Sequence, residues 1–232
     1  MTTYVVDASD PNSVNDFTSL RNIMTVTQSE PTGEEPRLTF SASNNVTTSE
    51  YTIPARTRTK ISLKGKFAMQ GTANRIEIFC TSNSSAGLNG FVFRVADGTK
   101  ADNGVALGTT SRGGFTAASA VIPVADTGVN FFLPWLLILE VDVRFNSGTG
   151  NTEAEGRARY WQEGDAEPTG WLLQGTVGNV TPSDTTLGIL TSSIDPIDLY
   201  EYVLTVDPVA TPANPAVKNI QDNTSNVTWE SG

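Results

Sequence analysis

Histidine is absent from the 232 residues, and cysteine occurs once, at Cys80. The first absence removes His-ligated zinc, the Ser-His-Asp triad, the Cys-His dyad and imidazole acid–base chemistry. The second removes intrachain disulfides and cysteine-rich metal centres. Cys80 itself falls in the inward phase of its segment and reads as a small buried hydrophobe. Any catalysis is left to carboxylates, Lys, Tyr or Ser. Cations are also scarce: 15 Lys and Arg stand against 25 Asp and Glu, a net charge of −10. Nucleic-acid backbones and anionic membrane surfaces recruit clustered cations, so neither is expected as a partner. Long apolar runs are missing too. The longest, Phe131–Leu139, falls short of the roughly 18–20 residues that span a bilayer and is broken by Pro134. The first residues, Met1-Thr-Thr-Tyr-Val-Val-Asp, show no basic stretch followed by an apolar run, so no signal peptide is expected and synthesis in the cytoplasm is. The N-x-S/T triplets at Asn45, Asn83, Asn179, Asn223 and Asn226 then carry no weight as glycosylation sites.

What remains is a chain made for strands. Charged residues make up 17% and apolar residues 38%, which excludes disorder of the highly charged kind. At this length a chain buries roughly 70–75% of its unfolded surface, enough for a core without covalent staples. Thr occurs 31 times, beside 20 Gly and 12 Pro; the first favours strands and the other two mark turns. No window carries a helical apolar stripe, and the one modest helix candidate is Pro11–Arg21. Alternation is plain elsewhere. Thr59–Phe67 puts Ile61, Leu63 and Phe67 on one face, with Lys64 and Lys66 on a solvated one. Arg75–Cys80 aligns Ile76 and Ile78, and Gly90–Val95 aligns Phe91, Phe93 and Val95. Leu136–Phe145 turns Leu137, Leu139, Val141, Val143 and Phe145 inward, and Glu140, Asp142 and Arg144 outward. Glu155–Gln162, Trp171–Val177, Thr186–Leu190 and Tyr200–Val206 complete the predicted strands, with Gly-, Asn- and Asp-rich turns between them. Many strands, short turns and no helices predict an all-β antiparallel sandwich.

Residues Gly156–Trp171 read G-R-A-R-Y-W-Q-E-G-D-A-E-P-T-G-W. This run resembles the G-x-x-R-A-R-x-W-x-x-G-x-x-E-P-x-x-W pattern of concanavalin A-like lectin/glucanase jelly-roll domains, which occur in bacteriophage virion proteins and bacterial surface proteins; it matches from Arg157 onward. Locally it describes a strand ending at Trp161, a turn at Glu163-Gly164-Asp165 and a return from Pro168 to Trp171. The resemblance implies a jelly roll over residues 30–207, between an irregular N-terminal arm (1–29) and a Pro-rich C-terminal tail (208–232).

Within that fold, laminarinase-type glycoside hydrolases carry E-x-D-x-(x)-E on one strand, and Glu140-Val141-Asp142 matches its first half. The third carboxylate is missing, because residues 144–146 are Arg, Phe and Asn. A retaining mechanism needs two carboxyl groups roughly 5–5.5 Å apart, one of them a proton donor. The preferred reading of Glu140 and Asp142 is therefore cross-strand pairing with Lys64, Lys66, Arg157 or Arg159. The expectation is of a non-enzyme, with a glycoside hydrolase or polysaccharide lyase as the alternative. If glycans bind, the candidate residues are Trp161, Arg157, Arg159, Glu140 and Asp142. Trp161 is open between sugar contact and packing, and Trp171 reads as hairpin or core packing. No cofactor is expected. The loop holding Asp97, Asp102 and Asn103 is a candidate calcium site, although Asp-Gly and Asn-Gly are ordinary turn formers and the turn reading is preferred. Pro208, Pro212, Pro215 and Trp229 are candidate assembly contacts in the tail. The resulting expectation is a bacteriophage virion structural protein, a capsid decoration or a tail-fibre or baseplate component. It would be homo-oligomeric, joined to other virion proteins and able to bind host-surface glycans.

Overall fold

The computed structural model describes residues 1–11, 17–19, 25–41, 46–51, 58–70, 75–79, 90–96, 104–111, 114–146, 148, 151–178, 185–191 and 196–208. Its strands are β1 (Thr2–Asp7), β2 (Phe17–Ser19), β3 (Thr25–Ser29), β4 (Arg37–Ser41) and β5 (Val46–Tyr51). These are followed by β6 (Thr59–Met69), β7 (Arg75–Phe79), β8 (Gly90–Ala96), β9 (Gly104–Ser111) and β10 (Gly114–Ala117). A 3-10 turn at Val124–Asp126 precedes β11 (Trp135–Asn146), β12 (Asn151–Gln162), β13 (Leu173–Gly178), β14 (Thr185–Thr191) and β15 (Ile197–Pro208).

The strands form two sheets, and the pairings are antiparallel. The eight-stranded sheet runs β13-β12-β11-β6-β15-β4-β3, with β1 also on β15, and the seven-stranded sheet runs β10-β9-β8-β7-β14-β5-β2. One apolar face of each meets the other. Ile61, Leu63, Leu137, Leu139, Val141 and Val143 of the larger sheet join Ile76, Ile78, Phe91, Phe93 and Val95 of the smaller in one buried cluster. Its aromatic centre is Trp135, fully buried, whose ring lies 5.4 Å from Phe67, 5.9 Å from Phe93 and 5.1 Å from Phe131. Tyr160 closes the group 5.7 Å from Phe93, and burial pushes its phenol pKa up to about 12.

Strand β12 packs on β8 across the core. A Cβ on Gly156 would stand 3.3 Å from Cδ1 of Phe91 and well inside contact of its Cε1 and Cζ. The ring therefore lies directly on the β12 backbone. At the far end of β12 the Glu163–Asp165 turn uses Gly164 at φ +91°, where a side chain would be strained.

The all-β antiparallel sandwich is thus as the alternation predicts, and several local expectations change. Phe17–Ser19, inside the helix candidate, is strand β2 paired to β5. Weak helix formers such as Asn and Ser do not hold a helix against a partner strand. Segment 1–29, expected as an irregular arm, supplies β1, β2 and β3. Val6 is buried in the core. The short polar strand β3 is held by pairing to β4, not by an apolar stripe of its own. Phe145, expected inside, is only half-buried. Trp171 precedes β13, which begins at Leu173. Within the run Phe131–Leu139, Phe131, Trp135, Leu137 and Leu139 are core, Ile138 points away from the core yet is 3% exposed, and Phe132 and Leu133 are exposed. Residues 209–232 and Cys80 lie outside the described residues.

Candidate functional site

On the outer face of the larger sheet, polar side chains line up across strands distant in sequence. The pairings place Thr205 (β15), Ser62 (β6), Glu140 (β11), Arg157 (β12) and Gln174 (β13) in one row. Two residues along each strand, Asp207, Lys60, Asp142 and Glu155 form a second row. These nine residues line a groove of 580 Å³, with Met1 at one end. At these positions the outward phase of β6, β11, β12 and β15 is polar, and the antiparallel register makes the two rows.

Each carboxylate of the groove has a cation beside it. Arg157 donates to Oε2 of Glu140 from Nε at 2.8 Å and from Nη2 at 2.5 Å. Arg58 grips Asp142 through both oxygens, Nε to Oδ1 at 2.9 Å and Nη2 to Oδ2 at 2.5 Å. Those hydrogen bonds hold the Asp142 carboxyl below its usual pKa against the opposing effect of burial. Arg144 pairs with Glu155, and the Met1 amino group lies 3.6 Å from Asp207. Lys60 sits in register between Asp142 and Asp207. Charge is compensated within the groove, while hydrogen-bond donors and acceptors alternate along it. Donors and acceptors fixed in this way suit hydrogen bonding to neutral polar groups; with its carboxylate held ionised, Asp142 does not donate a proton at neutral pH.

The candidate glycan residues divide. Glu140, Asp142 and Arg157 line the groove, and the Glu140–Arg157 contact is a cross-strand ion pair. Arg159 and Trp161 are not among its lining residues and lie farther along β12. Arg159 pairs with Glu167 and reaches the Pro168 carbonyl at 3.4 Å. Trp171 is half-buried on the outer face, with the guanidinium of Arg157 4.3 Å and that of Arg159 4.9 Å from its ring centre. Two cations thus cover the ring. Asp142 takes Arg58 rather than Lys64, Lys66 or Arg159. Lys66 is not solvated: its side chain is 7% exposed, paired with Glu35 and Glu163 and set 4.9 Å over the Tyr200 ring. Trp135, Tyr160 and Tyr202 are core. The calcium candidates Asp97, Asp102 and Asn103 and the tail residues Pro212, Pro215 and Trp229 lie outside the described residues. Pro208 ends β15. Among the described residues no group of three or more acidic, His or Cys side chains is placed to hold a metal, and no helix is long and apolar enough to cross a membrane.

Sequence reading missed Lys60, Ser62, Glu155, Gln174, Thr205 and Asp207 as groove residues. Each falls in the outward phase of a strand, a signal it shares with every other polar residue of a sheet face.

No family model matches the chain, and no curated protein matches it. Solved structures do. The lectin of Bauhinia forficata in complex with GalNAc is 12% identical, at a TM-score of 0.46, over 90% of this chain and 100% of its own. The exoplasmic/lumenal domain of VIP36 in its Ca2+/Man3GlcNAc-bound form is 9% identical, at 0.47, over 93% and 92%. The Lotus tetragonolobus seed lectin is 9% identical, at 0.45, over 90% and 100%. The likeness is one of fold.

Proposed function

We propose that this chain is a non-enzymatic carbohydrate-binding protein of a bacteriophage particle. In this reading the groove across β15, β6, β11, β12 and β13 takes a host-surface glycan. The observation that carries the binding reading is the charge-compensated pair of polar rows. Sugar hydroxyls both donate and accept, and rigid strands hold Ser62, Thr205, Gln174, Arg157 and the two carboxylates ready to meet them. Groups fixed in advance lose little entropy on binding.

The hydrolase alternative needs one carboxyl protonated and another free to attack. Glu140 is engaged by Arg157, and Asp142 is held ionised by Arg58, which argues against it. The virion placement rests on the resemblance of Gly156–Trp171 to jelly-roll domains of phage particles. With it go a homo-oligomer and contacts to other virion proteins through the tail.

The test is binding of labelled protein to bacterial envelopes and to a panel of immobilised glycans, with Ser62→Trp as the groove-blocked variant. Saturable binding that soluble glycan competes away, and that Ser62→Trp abolishes, is expected. Binding unchanged in Ser62→Trp, or no binding at micromolar protein, overturns the groove as the site. Turnover of a polysaccharide that disappears in Glu140→Gln overturns the non-enzymatic reading. The chain's absence from purified particles overturns the virion placement.

A further inference from the structure

Resting on the carbohydrate reading above, we infer that the groove takes an internal segment of a linear, uncharged polysaccharide laid across the strands. Its length comes first. The row Thr205-Ser62-Glu140-Arg157-Gln174 crosses five strands, and four inter-strand gaps at roughly 4.8 Å each give a floor about 19 Å long. That is several sugar residues, far more than a terminal monosaccharide fills.

Both ends of the row reach sheet edges. Among the described residues β13 pairs only with β12. Beyond β15, β1 is the last strand at this level, with Thr3 opposite Thr205, and it pairs only with β15. A chain lying along the row therefore leaves the sheet on both sides, and neither of its ends need be in the groove. A pocket for a chain end needs a wall that stops the chain; among the described residues the one lining residue beyond β15 is Met1, which stands beside Asp207 at the end of the second row, while Thr205 of the first row faces Thr3.

Charge selects against ionic polymers. The lining holds the carboxylates of Glu140, Asp142, Glu155 and Asp207 and the cations Lys60, Arg157 and the Met1 amine, with Arg58 and Arg144 alongside. A polyuronate or sulfated chain would bring its charges against those carboxylates, and an amino-sugar polymer would bring cations against Arg157 and Lys60. Either would break pairs already formed, and a polar group left unpaired is costly. Neutral hydroxyls leave the pairs in place and use their outward lone pairs and N–H groups. The lining contains no aromatic ring, so hydrogen bonds spread along the row supply the affinity, and affinity grows with the number of sugars engaged.

The experiment has two stages. The whole chain is first run in affinity electrophoresis against neutral polymers (dextran, a mixed-linkage β-glucan, a galactomannan, a mannan) and charged ones (alginate, polygalacturonate, chitosan). Retardation by one or more neutral polymers and by no charged polymer is expected. Fragments of the retarding polymer, from monosaccharide to hexasaccharide, are then titrated calorimetrically. Affinity should rise about tenfold or more from disaccharide to tetrasaccharide and stay unchanged when the reducing end is capped. Gln174→Ala and Thr205→Ala, at opposite ends of the row, should each weaken the hexasaccharide about two- to tenfold, the worth of one hydrogen bond. Circular dichroism and urea midpoints matching the parent would show that the fold is intact. A monosaccharide that competes as well as the hexasaccharide, loss of binding on capping, or retardation by charged polymers alone overturns this inference and leaves the carbohydrate reading standing. Retardation by no polymer of either kind overturns both.

Discussion

One methyl group at Gly156 tests how tightly the two sheets are locked. The Cβ of Gly156→Ala would stand 3.3 Å from Cδ1 of Phe91 and closer still to its Cε1 and Cζ. Carbon atoms pack at roughly 3.5–4.0 Å, so the methyl is more than about 1 Å too near the ring. Phe91 is fully buried in β8 and Gly156 lies mid-strand in β12, between β11 and β13. The ring has no solvent to swing into, and the strand cannot retreat without moving its neighbours. Overpacking of this kind costs about 1–3 kcal/mol, and the rigidity on both sides points to about 3. With a urea m-value of about 3 kcal/mol/M, the unfolding midpoint should fall by about 1 M with the slope unchanged. The double variant Gly156→Ala/Phe91→Leu separates clash from propensity. Removing the ring relieves the methyl, so the double variant should be less destabilised than the sum of the singles by at least about 1 kcal/mol. Additivity of the two single effects within about 0.5 kcal/mol would refute the reasoning, because the ring would then be moving aside at little cost.

Three further outcomes follow from the titratable groups. Burial opposes the Lys66 ammonium, but its hydrogen bonds to Glu163 and Glu35 outweigh that and raise its pKa above 10.5. A raised ammonium pKa stabilises the fold below the unfolded value and ceases to do so as pH climbs through the folded one. Urea midpoints should therefore fall more steeply above about pH 10.5 in the parent than in Lys66→Met, and parallel curves would refute this. Asp142 has the opposite sign: with its pKa held below 3.8 by Arg58, it stabilises above that value and loses the effect as pH falls through the folded pKa. The stability gap between the parent and Asp142→Asn, read from urea midpoints, should be full near neutrality and close as pH drops below 3.8; a gap independent of pH would refute it. Tyr160, pushed to about 12 by burial, should be among the last phenols to ionise in an absorbance titration, and Tyr160→Phe should remove that late step. Ionisation complete near pH 10 would refute it.

The sequence alone determined the architecture, because the side-chain alternation of a strand is a local property. Ile61 and Leu63, Ile76 and Ile78, Phe91 and Phe93, and Leu137, Leu139, Val141 and Val143 declare their inward faces within a few residues of chain, and all are core. The same period put Glu140 and Asp142 on one outward face, and the missing third carboxylate pointed away from hydrolysis. Strands that lack an apolar stripe stayed hidden. Thr25–Ser29 and Phe17–Ser19 are ordered by their partners β4 and β5, and a partner is not written in the segment it pairs with. Tertiary structure also decided the fate of particular side chains. Lys66 has the same outward phase as Lys64, yet Glu35, Glu163 and Tyr200 gather over it, while Lys64 remains exposed. Trp171 packs across its own hairpin, but on the outer face, beneath Arg157 and Arg159. The groove is the clearest case. Lys60, Ser62, Asp142, Gln174, Thr205 and Asp207 share only an outward phase in the sequence. Their order across the sheet was set when burial of the opposite face fixed which strand lies beside which, and in what register.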